Sequence, residues 1–122
     1  MKNLSPKMVL EQYRRDLFAD PSFSKDSFGA LELLLVATET LYSTHPTEII
    51  NTLSSWMLSA DDAYRFDAMF LTRKIHIIEM LPSLYVLKMR LKDNTTGLDN
   101  SELQKINQLI DALRGQEHDH LP

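Results

Sequence analysis

Three groups of residues in this chain have side chains that could do chemistry. His76 and Glu79 stand three apart, with Glu32 and Glu39 on another helical stretch, and carboxylates and imidazoles facing into a helical bundle can hold a pair of metal ions. The di-iron pattern needs glutamate before histidine at that spacing, on two helices. Here the order is reversed and occurs once, so the pair is expected to be an i, i+3 neighbour pair on a solvated polar face. His118, Asp119 and His120 could chelate a divalent ion, yet nothing nearby in sequence would orient the rings, and only adventitious binding is expected of them. The third group is the serines, Ser22, Ser24, Ser27, Ser54, Ser55 and Ser59. A nucleophilic serine needs a base, an orienting group and usually a glycine-rich turn that exposes it. With three glycines in the whole chain, neither that turn nor a phosphate-cradling loop can be drawn, and the serines read as caps, turns and exposed helix positions. The expectation is therefore no metal, no cofactor and no enzymatic activity.

The elements that carry these residues are helical. Three glycines and five prolines leave room for long uninterrupted segments and argue against a turn-rich strand fold, so the predicted class is all-α, a compact bundle of five or six helices. At 122 residues and 43% hydrophobic content, one domain with its own core is expected over residues 1–115, followed by a frayed, flexible tail over 116–122. There is no cysteine, so packing alone must stabilise the fold, and a reducing compartment suits it. No apolar run approaches the ~20 residues that span a bilayer, and the first six residues lack the apolar core of a secretory signal. A soluble, cytoplasmic protein is predicted.

Ser5 and Pro6 form an N-cap and first-turn pair, and Val9, Leu10, Tyr13, Leu17 and Phe18 give one face of a helix ending near Ala19. After a short loop holding Phe23, a second helix over about 26–43 is apolar almost all round. His45 and Pro46 begin a third, whose Ile49, Ile50, Leu53, Trp56 and Met57 make a narrow stripe. Asp99 and Glu102 have capping-box spacing ahead of a clean amphipathic helix, Leu103, Ile106, Leu109, Ile110 and Leu113, ended by Gly115.

The stretch 59–93 is unusual in carrying two apolar stripes. Tyr64, Ala68, Leu71, Ile75 and Ile78 recur at helical steps, and so do Ala63, Phe66, Phe70, Ile77 and Leu81, with Lys74 in the one gap. Ser59 is expected to cap this helix, with Asp61 and Asp62 in its first turn. Asp61, Arg65, Thr72, His76 and Glu79 are expected to face solvent. Pro82 must kink or break the central helix of about 60–81, because proline lacks the backbone donor and its ring meets the carbonyl four residues back.

Two stripes need two neighbours. The uninterrupted one suits the domain's own core, whereas a lysine in the other can reach water from an interface rim. Phe66, Phe70, Lys74 and Ile77 are therefore the expected partner interface. Met69, Met80, Met89 and Tyr85 are further candidates for an adaptable surface, with plain core as the competing reading. The segment 85–92 is the next place to look.

Net charge is −4, and no segment has the basic excess of a nucleic-acid surface. Residues 1–20 hold four Lys and Arg against three Asp and Glu, and residues 60–93 six against five. The third and fourth helices have the order of a helix-turn-helix, in which the start of the second helix meets DNA; here Asp61 and Asp62 would be repelled. The functional expectation is a small non-enzymatic protein acting by protein contact, as a regulator, adaptor, chaperone-like or immunity-type protein, with a protein partner or as a homodimer. A DNA-binding regulator is the first alternative and a small helical enzyme or ligand-binding protein the second.

Overall fold

The computed structural model describes residues 5–20, 27–93 and 100–115. Among these the protein is all-α, with six helices and no strand: α1 Pro6–Ala19, α2 Ser27–Thr44, α3 Pro46–Met57, α4 Asp62–Ile75, α5 Leu81–Asp93 and α6 Asn100–Arg114. The Phe23 loop, the 94–99 linker with Asp99 of the capping box, and the 116–122 tail with His118, Asp119 and His120 lie outside the described residues. The chain divides within α3 into two compact units, Met1–Thr52 and Leu53–Pro122.

In the first unit α1 packs on α2. Ser5 caps α1, its hydroxyl accepting from the Met8 amide at 3.2 Å, with Pro6 at the first helical position where no donor is needed. Leu10, Leu17, Ala30, Leu31 and Leu34 are buried, each large one contributing on the order of 1.5–3 kcal/mol by leaving water. Thr38 is fully buried as well, and donates to the Leu34 carbonyl at 2.7 Å, which satisfies its hydroxyl inside the helix. The near-uniform apolarity of α2 does not make it wholly buried, since Leu33 and Val36 face out.

In the second unit α6 packs against both α4 and α5. Its stripe of Ile106, Leu109, Ile110 and Leu113 is buried, together with Leu53, Trp56, Met57, Ala68, Leu71, Leu84 and Leu87. Trp56 meets Tyr64 edge to face, ring centres 5.6 Å apart, which ties the end of α3 to the start of α4. Gly115, at φ 73°, takes the left-handed turn that ends α6, and its amide donates to the Ala112 carbonyl.

The central helix is broken, and the break precedes Pro82. Helical turns running through 78–82 would drive the Pro82 ring into the residue 78 carbonyl, and Ile75, Ile77 and Ile78 are all β-branched, so the chain leaves the helix early. His76 adopts φ 64°, ψ 57°, and the amides of both His76 and Ile77 donate to the Thr72 carbonyl, at 2.8 and 3.1 Å. A 3-10 turn, Ile78–Met80, follows before α5 begins, with Pro82 in its first turn, where proline is tolerated.

The break shifts the helical phase, and two isoleucines trade places: Ile77 is fully buried, whereas Ile78, placed in the core by an unbroken period, is 51% exposed. At the other end, Asp61 and not Ser59 caps α4. The Asp61 carboxylate accepts from the Ala63 amide at 2.9 Å, and the Ser59 hydroxyl accepts from the Asp61 amide at 3.0 Å.

Candidate functional site: a cation-rimmed groove between α4 and α6

Five residues of α4, Phe66, Met69, Phe70, Arg73 and Lys74, follow the spacing i, i+3, i+4, i+7 and i+8, and therefore share one helical face. Three residues of α6, Lys105, Gln108 and Leu109, repeat the first part of that spacing. Where α4 packs on α6, these eight line an open groove of about 210 Å³. Its floor is apolar, formed by Phe66, Met69, Phe70 and Leu109, with Phe66 49% exposed. Arg73, Lys74 and Lys105 are exposed around it, and the Lys74 ammonium lies over the Phe70 ring, 5.8 Å from its centre. Among the described residues none of these three cations has an ion-pair partner.

A smaller depression of about 160 Å³ adjoins the groove, sharing Phe66, Met69 and Lys105 and adding Asp62 and Glu102. Both carboxylates are held by Arg65. Its Nε donates to Glu102 Oε2 at 2.8 Å and one terminal nitrogen to Oε1 at 3.3 Å, a two-point grip of the kind guanidinium and carboxylate planes allow. The same nitrogen donates to Asp62, and the other donates to the Ser59 carbonyl at 2.9 Å. Helical spacing alone puts Arg65 on the solvent side; its side chain is only 13% exposed, because its partner comes from α6, 37 positions away in sequence. The hydrogen bond to Glu102 holds the guanidinium above its ordinary pKa against the opposing effect of burial.

Of the four residues expected at a partner interface, Phe66, Phe70 and Lys74 come together in this groove, and Ile77 does not. It lies beyond the break, fully buried. Met69 joins the floor, whereas Met80 is buried and Met89 and Tyr85 lie exposed on α5 with Val86. At that second apolar patch the Tyr85 hydroxyl accepts from Arg114 at 3.0 Å. Met69 and Arg73 were recoverable from sequence, since they complete the α4 face at helical spacing. Lys105 and Gln108 were not, because nothing local states which helix packs beside α4.

The remaining candidates are dispersed. His76 is the αL cap of α4, and Glu79 sits exposed in the 3-10 turn. Glu32 and Glu39 are exposed on α2, in the other unit. Among the described residues, no three histidine or carboxylate side chains converge as a metal site would need, and no helix is long and apolar enough to cross a membrane. Ser54 and Ser83 share a hydrogen bond between their hydroxyls, joining the end of α3 to the first turn of α5. Compared with protein-family models, with curated proteins and with solved structures, the chain gives no match.

Proposed function

We propose that this protein works without catalysis, by protein contact through the α4 and α6 groove, as a small regulator, adaptor, chaperone-like or immunity-type protein. The observation that carries the reading is a half-exposed aromatic floor, Phe66 beside Phe70, held open on a buried core instead of collapsing into it. Aromatic side chains in shallow, rimmed depressions are the usual anchors of protein interfaces. The partner is another protein or a second copy of the chain. The setting proposed is the cytoplasm, whose reducing conditions cost nothing to a fold without cysteine. What weighs against a nucleic-acid surface is the acidic start of α4, with Asp61 at the cap and Asp62 88% exposed.

The test uses the full chain as bait in extracts of its native source, with light scattering of the purified protein alongside. Wild type is compared with Phe70→Glu and with Tyr13→Glu in the first unit. A specific captured protein, or a dimer, should survive Tyr13→Glu and be lost with Phe70→Glu while the helical spectrum and melting transition are kept. If Phe70→Glu captures the same partner, or unfolds the chain, the groove is not the contact surface.

A further inference from the structure

The groove's rim says what its occupant must carry. We infer that the partner segment is an acidic amphipathic helix, with apolar side chains on the aromatic floor and carboxylates on the flanking cations; this rests on the reading of the groove as a protein-contact site. The cations stand on both walls, Arg73 and Lys74 from α4 and Lys105 from α6, so a helix lying between them meets positive charge on either side. They are unmatched in ion pairs among the described residues, and the nearby carboxylates are engaged, since Arg65 holds both Asp62 and Glu102. A basic rim on a chain of net charge −4 runs against the protein's overall sign, which makes it a local feature and not a general affinity for anions.

The length also fits. From Phe66 to Lys74 is about 12 Å along a helix axis, the reach of an i, i+3 or i+4, i+7 set of anchors on a docked helix. A second copy fits less well, because a two-fold contact sets the same patch against itself and brings like cations together. A nucleic-acid duplex would match the rim but leave the aromatic floor uncovered.

The probe is a displayed library of helical peptides about four turns long, with leucine fixed at the anchor spacing and the flanking positions drawn from Glu, Gln and Lys. It is selected on the full chain and counter-selected on Phe70→Glu. Peptides recovered on the wild type should carry Glu at the flanks. A synthetic Glu peptide should bind about ten-fold or more tightly than its Gln counterpart. That preference should disappear in an Arg73→Gln, Lys105→Gln double variant, which leaves the floor intact and keeps the comparison readable if Phe70→Glu folds poorly.

Selection of peptides with Gln or Lys flanks would overturn the acidic helix and leave the groove as a contact site. Failure to recover any peptide that distinguishes wild type from both variants would overturn the acidic helix and the groove together. A dimer that dissociates with Phe70→Glu, or displacement of the Glu peptide by short duplex DNA at comparable affinity, would assign the groove to another occupant and overturn the inference.

Discussion

The groove between α4 and α6 has a counterpart between α1 and α2, lined by Val9, Leu10, Tyr13, Ala37 and Leu41 with Gln12, Asp16 and Thr40. The counterpart is the larger, about 430 Å³ against about 210 Å³, and its walls are just as apolar in kind. The polar groups at their edges differ. Gln12 donates to Asp16 at 2.8 Å and accepts from Arg15 at 2.9 Å, and the Thr40 hydroxyl donates to the Val36 carbonyl, so that rim is satisfied by its own helices. Around the other groove, Arg73, Lys74 and Lys105 have no ion pair among the described residues, and the Lys74 ammonium lies over the Phe70 ring. Exposed apolar area is common on helical proteins and says little alone. Apolar area ringed by charges that the fold has left unmatched is a stronger sign of a missing partner.

The comparison can be broken most forcefully from underneath. Leu71 and Leu34 are both fully buried, and replacing either by alanine should lower stability by about 2–5 kcal/mol in chemical denaturation. Leu71→Ala loosens the helix that carries the floor and should weaken binding of a groove peptide as well, whereas Leu34→Ala should spare it below the melting transition. Equal binding losses in the two variants would show that the grooves are not functionally distinct.

The next effect is on binding alone. Phe70→Glu should cost about 2 kcal/mol or more of partner affinity by titration, with little change in stability, because interface aromatics commonly dominate binding energy. Tyr13→Glu, at the corresponding place in the first unit, should cost partner affinity nothing measurable.

Arg65→Met sharpens the role of charge. It removes a partly buried cation from two carboxylates and should destabilise the fold by about 1–3 kcal/mol. It should also weaken an acidic peptide by leaving Glu102 and Asp62 uncompensated beside the groove. The guanidinium cannot be neutralised under ordinary conditions. The raised guanidinium pKa means its stabilisation is complete below the unfolded-state value and is lost only as pH rises through the folded one, in strong alkali. A double-mutant cycle with Glu102→Gln measures the coupling instead.

The smallest effect belongs to the cap of α4. A non-glycine residue in the left-handed region costs about 1–2 kcal/mol, partly offset by the extra freedom glycine has when unfolded, so His76→Gly should raise stability by about 0.5–1 kcal/mol in thermal melts. A loss instead would mean that the imidazole itself secures the turn that sets the groove-bearing helix.

What could be read from the sequence is what local chemistry decides. Ser5 with Pro6 at one end and Gly115 at the other mark helix limits because capping involves only the adjacent turn. Pro82 announced a break for the same reason, but its first-turn tolerance let the chain place that break at His76, and the stripe residues beyond it were misassigned by one position. Phe66 and Phe70 stood out because aromatic periodicity survives without tertiary knowledge. Arg65 did not, since a guanidinium facing solvent and one gripping a carboxylate on another helix have the same local sequence. The α6 wall of the groove was hidden likewise.

The left-handed turn at His76 also works as an angular setting. Each residue turns a helix by about 100°, so the number of residues between the end of α4 and the start of α5 fixes the azimuth at which α5 meets α6. As built, Met80, Leu84 and Leu87 point inward while Pro82, Tyr85 and Met89 point out. Removing one residue from 77–80 would carry Tyr85 and Lys88 into the places of Leu84 and Leu87, bringing a charge into the core. The short link is therefore constrained in length, and which face of α5 is buried is decided by how many residues precede that helix.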